Sequence, residues 1–147
     1  MRKPAVGSVF RLPGFRPDAA IQYVGDDGIL GEIARVFLVE AGQDDLCAET
    51  STMFVIGFPV RAAAKEGYLQ YVARCEVAAA HRSIAFRVPN KRPGTSEIVS
   101  WSIFKDGKQT IVRSLDREQR GYPLAYAVNV QKLEELVDRG WDGHEPL

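Results

Sequence analysis

Hydrophobic and polar positions along this chain change over in short runs, and most runs carry the two-residue period of a half-buried strand. Val9, Phe10 and Leu12 suit a strand over 8–12, opened by Gly7 and stopped by Pro13-Gly14. Residues 15–18 read as loop, with Pro17-Asp18 as its turn signal. Ile21 and Tyr23 alternate with Gln22 over 20–24. The turn Gly25-Asp26-Asp27-Gly28 then leads into a longer alternating run over 29–39 around Ile33, Arg35, Phe37 and Val39. Together these predict a small antiparallel meander with a hairpin at 26–28.

Residues 41–50 are polar and acidic and predict a long loop. The continuous apolar run 52–58 predicts a strand buried on both faces. Pro59 can begin a helical turn over 60–65, closed by Gly67. The alternation of Leu69, Tyr71 and Ala73 against Gln70 and Arg74 predicts a strand over 68–77, and 83–88 another, ended by Pro89 and followed by an exposed loop over 90–96. Runs at 99–104 and 109–113 flank Lys105-Asp106-Gly107-Lys108, a firm hairpin signal. Ser114 can cap a short helical turn over 115–120, with Gly121 as its stop, and 124–127 reads as a short strand. Asn129 is an N-cap for a helix over 130–139 that Gly140 ends. On that helix Val130, Leu133, Leu136 and Val137 mark one apolar face. The reading is α+β and predominantly antiparallel sheet. It has about eight strands, one C-terminal helix and one or two short helices, with room for the first half to curl into a small barrel. At 147 residues one domain over 1–147 is expected.

Composition narrows the function classes. With 46% hydrophobic and 26% charged residues the chain is neither a disordered segment nor a disulfide scaffold. Nineteen cations balance nineteen anions, and a neutral domain is a poor general binder of nucleic acid. The charge is uneven, however: 40–49 holds Glu40, Asp44, Asp45 and Glu49 with no base, whereas 74–92 holds Arg74, Arg82, Arg87, Lys91 and Arg92 against Glu76 alone. Cys47 and Cys75 form no CxxC, and with two distant histidines they make no zinc site, so no metal is expected. Cys75, in an apolar run, is expected as a buried reduced thiol. No secretory-length apolar stretch precedes Pro13, and no run approaches the ~18 apolar residues of a membrane span, so the expected location is cytoplasmic.

Catalytic chemistry is sparse. His81 and His144 are the two histidines, and no G-x-S-x-G, phosphate-binding loop, H-E-x-x-H or G-x-G-x-x-G occurs. The chain is therefore expected not to be an enzyme and to need no cofactor. A small enzyme using His81 or a carboxylate pair is the least favoured alternative. Basic residues flank Phe86 in 74–92, and a nucleic-acid or protein-binding adaptor using that segment is the second reading. Phe86 is nevertheless expected in the core and the cations on an exposed edge. Trp101 is expected in the core, and Trp141 over the helix end.

The second half carries a string of short signatures. They are Phe58-Pro59-Val60 into Ala62-Ala63, Val99-Ser100-Trp101-Ser102-Ile103-Phe104 with Asp106-Gly107, Leu115-Asp116-Arg117-Glu118-Gln119-Arg120, Pro123, and a closing helix ending in Gly140-Trp141. In this order, and with an opening Gly7-Ser8-Val9-Phe10-Arg11-Leu12-Pro13, the chain resembles the immunity protein 26 family of bacterial polymorphic-toxin and contact-dependent inhibition systems. That resemblance implies a non-enzymatic cytoplasmic antitoxin that binds a cognate toxin domain and blocks its active site or substrate path. The resemblance itself carries over no binding residues; the charges suggest them. A nuclease cleft is basic, so an acidic patch is its natural plug. The candidate partner-binding residues are Asp26, Asp27, Glu40, Asp44, Asp45 and Glu49, with Asp44, Asp45 and Glu49 foremost.

Overall fold

The computed structural model describes residues 4–40, 43, 45–47 and 51–147. Among them eight strands form two antiparallel sheets, with four helices, in the α+β class that the alternation predicts. The first sheet holds β1 (Ser8–Arg11), β2 (Ala19–Asp27), β3 (Gly31–Leu38), β4 (Thr52–Gly57) and β5 (Gln70–Arg74), in the order β4-β3-β2-β1-β5. β1 to β3 form the expected meander, and β4 pairs with β3 to extend it. β5 returns to pair with β1, which puts β4 and β5 at opposite ends of the strand order. The hairpin turn falls at 28–30 rather than 26–28, because β2 runs on to pair Asp27 with Gly31.

The second sheet is β6 (Ala85–Lys91), β7 (Ile98–Lys105) and β8 (Lys108–Val112), in that order. Asp106 and Gly107 take φ of 51° and 78°, the left-handed pair that a two-residue hairpin of matching twist demands. β6 continues through Pro89, which the sequence reading took as its end. Pro89 stands opposite Trp101. Two residues earlier, on the same side of the strand, the Arg87 amide points away from β7 and donates to the Pro123 carbonyl. The missing Pro89 amide thus faces away from β7 as well, and the ladder loses no bond.

The first sheet is covered on both faces. Phe10, Ile21, Val36, Phe54 and Ile56 pack against α1 (Val60–Lys65) and against Leu133, Leu136 and Val137 of α4 (Val130–Arg139), with Trp141 closing the end as expected. The Asn129 side chain accepts the Lys132 amide at the start of α4, and Gly140 ends it at φ 69°. On the opposite face Val9, Ala20 and Phe37 meet Val39, Leu46 and Cys75, while Val24 and Ile33 meet Val77 and Phe86 from the second sheet. Two short helices complete the chain. α2 (Ala79–Arg82) lies between the strands expected over 68–77 and 83–88, and α3 (Arg117–Arg120) is capped by Asp116, not Ser114, in a reciprocal capping box with Gln119.

Residues 124–127 do not form a strand of their own. They bridge in parallel to Gly57 at the outer side of β4 and to Arg87 at the outer side of β6, joining the two sheets. β4 is therefore a sheet-end strand whose outer amides are partly taken by this segment, not the central strand that its apolar run suggests. Among the described residues no helix is long and apolar enough to cross a membrane.

Candidate functional site

A cleft of about 440 Å³ opens where the two sheets meet. Its floor is apolar, from Phe54, Val55, Ile84, Phe86 and Pro123, and its rim carries Thr52, His81, Lys105, Glu118, Tyr122 and His144. Both histidines thus reach one depression, which their separation in sequence did not foretell.

One wall rests on a buried polar chain. Gln22 and Arg35 are partners across β2 and β3, exposed to only 2% and 9%. Arg35 Nε donates to Gln22 Oε1 at 3.3 Å, and Gln22 Nε2 donates to the Cys75 carbonyl at 3.1 Å. The Arg35 guanidinium also stacks 4.2 Å above the Phe37 ring and donates from Nη1 to Thr52 Oγ1 at 3.3 Å. Thr52 Oγ1 also lies 2.9 Å from His81 Nε2, a bond that the neutral imidazole makes as donor or acceptor according to its tautomer. Burial, and then the charge of Arg35, push His81 below its ordinary value and hold it in that state. Among the described residues the hydrogen-bond partner of the ring is the Thr52 hydroxyl. The chain holds α2 against β4.

The other rim groups are tied in the same way. Tyr122 donates its hydroxyl to Glu118 at 3.0 Å, and Lys105 donates to the same oxygen at 3.2 Å, which holds Glu118 below the ordinary carboxylate range. Arg87 lies 5.1 Å over the Trp101 ring, donates to the Tyr122 carbonyl and reaches His144 Nδ1 at 3.4 Å. Trp101 is accordingly half-buried beneath a cation rather than in the core. Among the described residues no group of three His, Cys, Asp or Glu side chains could hold a metal ion.

The acidic candidates separate into two places. Asp26 sits at the β2–β3 turn, where it accepts the Tyr23 hydroxyl at 2.7 Å and faces Arg61, which also donates to Tyr23 and pairs with Glu32. Burial and the Asp26 bond push Tyr23 up to about 12. Asp27 is buried, and its carboxylate accepts the Ile29 and Leu30 amides, so it shapes the turn. Glu40 lies beyond the far end of β3, whose eight residues span about 25 Å. Among the described acids, Asp26 and Asp27 are therefore not in one patch with Glu40.

Glu40 and Asp45 belong to a strap that crosses the second face of the first sheet. Leu46 is its anchor, 3% exposed against Val9, Phe37 and Val39. Beside it Cys47 forms a disulfide with Cys75, just past β5, in place of the reduced thiol expected for Cys75. The strap brings the two cysteines together across 28 residues, a crossing that no local pattern reports. Asp45 is exposed, with its carboxylate accepting the Cys47 amide, and Gln43 bonds both the Glu40 amide and the Asp45 carbonyl. Asp44 and Glu49 lie outside the described residues. The one sequence signal of the anchor was an isolated Leu-Cys in a polar, acidic segment.

The basic segment is dispersed as well. Arg82 is paired with Glu76, Arg92 with Glu97 at 3.0 Å, and Arg87 is folded over Trp101. Phe86 is fully buried, as expected, and offers no face to a base. Against known proteins, no family model, no curated protein and no solved structure matches the chain.

Proposed function

We propose that the chain is an immunity protein that binds and neutralises a cognate toxin domain, with a basic nuclease cleft as the target and the acidic strap as the contacting surface. The observation that carries this reading is the strap itself. Leu46 and the Cys47–Cys75 bond fasten it at residues 46–47, so the exposed Asp45 stands directly beside a fixed point of the fold. An inhibitor gains affinity from such preorganisation and association rate from charge complementarity, without catalytic groups of its own. The sequence resemblance supports the same role. The nucleic-acid reading is disfavoured by the burial of Phe86 and the ion pairs of Arg82 and Arg92.

The same bond bears on the compartment. Disulfides persist in oxidising surroundings and are rare in the cytoplasm. The bonded strap belongs to an oxidising compartment; in the cytoplasm Leu46 alone would hold a dithiol strap in place. Alkylation of the protein taken directly from cells, read as a mass shift, distinguishes the two.

Co-purification with the toxin domain encoded beside this chain tests the function. A stable complex that rescues growth supports it. Absence of both, with salt-sensitive RNA binding instead, overturns it in favour of the adaptor.

A further inference from the structure

We infer that β8 is an open docking edge that receives an extended, acidic segment of a partner protein as an added strand. The inference is independent of the strap, which lies on the other sheet.

The hairpin geometry shows which backbone groups are available. A two-residue turn makes Lys105 and Lys108 its closing hydrogen-bonded pair. Bonding then alternates along the ladder, so Thr110 and Val112 bond β7 while Gln109 and Ile111 direct both N–H and C=O outward. The same alternation, carried across β7, requires the outward groups of β6 at Arg87, where bonds to Pro123 and Ala125 are found.

The edge is guarded by flanking cations but, among the described residues, by no bulge, proline or covering segment. At the other free edge, β5 carries a register shift against β1 and ends at the disulfide. β8 pairs without any shift from Trp101–Val112 to Lys105–Lys108, contains no proline, and carries Ile111 at 67% exposure between Thr110 and Val112. Natural sheets blunt such strands, which otherwise pair with another chain.

Charge selects the occupant. Lys108 and Arg113 flank the strand, and among the described residues neither has an acidic partner, whereas Lys105 is paired with Glu118. A second copy would bring these cations alongside one another, which cross-strand pairing disfavours. An extended segment with β-branched residues for Ile111 and carboxylates at its ends satisfies both requirements.

Panning a random-peptide display library against the purified chain tests this. The expected result is enrichment of alternating β-branched sequences bearing Asp or Glu. A synthetic copy of one should slow amide exchange at Gln109 and Ile111. Its affinity should fall roughly tenfold or more in Ile111→Pro, which removes an amide that bonds nothing within the chain. The double variant Lys108→Glu/Arg113→Glu leaves the backbone intact and should abolish the acidic preference, should the proline variant fail to fold. No enrichment, peptides without acid bias, or binding indifferent to both variants overturns the inference. So does a concentration-dependent dimer that the charge reversal strengthens.

Discussion

Thr52 joins the Arg35 guanidinium to His81, and burial of this histidine on the cleft rim, followed by the Arg35 charge, disfavours its protonated form. The folded-state value of His81 lies below its unfolded value of 6.5. Its contribution to stability is therefore fully present above pH 6.5 and is lost as the pH falls through the depressed folded value. Urea midpoints measured between about pH 8 and pH 5 should decline, and His81→Asn should flatten that decline while lowering the midpoint at neutral pH. The residues that make this chain were visible as a pattern and misleading as one. Gln22 occupies the polar position of its strand, whereas Arg35 shares a strand face with Ile33 and Phe37. Alternation reports only that two faces differ. It does not report that the strap and the second sheet cover their face and bury both residues.

At the scale of elements, legibility follows the range of the forces. α4 was readable because its determinants are its own: an Asn129 side chain on the Lys132 amide, an apolar stripe, and a left-handed Gly140. Asn129→Ala should cost about 1 kcal/mol in thermal or urea unfolding. The Asp106-Gly107 hairpin was readable for the same reason, since two positive φ angles suffice to build it. The joining segment 124–127 was not, because its partners are supplied by β4 and β6 from elsewhere in the chain. At Gly57 an added Cβ would lie 3.0 Å from the Tyr126 carbonyl oxygen and 3.1 Å from the Ala127 Cβ. Gly57→Val should destabilise by about 1–3 kcal/mol. Faster amide exchange at Gly57 and Val128, whose bonds cross this seam, would locate the damage. The strap is a comparable case. Its disulfide closes a loop with a separation of 28 residues, and the chain-entropy account gives about 3–4 kcal/mol for its removal. Melting with and without reductant measures that loss, and Cys47→Ser should reproduce it.

For the whole molecule the informative quantity is where a net charge of zero is distributed. Exposed acids at the strap and unpaired cations at β8 give two surfaces of opposite sign, on different sheets. Glu40→Lys/Asp45→Lys should slow association with the cognate toxin and reduce its salt dependence, read by stopped-flow mixing. Its unfolding midpoint should move by no more than about 0.5 kcal/mol per site, because both side chains are exposed. An unchanged association rate would remove the strap from the interface.

By itself the sequence determined the strand-rich α+β class, the meander, the Asp-Gly hairpin and the capped C-terminal helix. Each follows from steric and hydrogen-bonding preferences acting within a few residues. Only the tertiary structure decided that both faces of the first sheet are covered, that Cys47 meets Cys75, that 124–127 joins two sheets, and that Asp26 and Glu40 lie toward opposite ends of β3. Those outcomes depend on where distant parts of the chain cross, and burial, pairing and charge separation are properties of the crossing rather than of either segment.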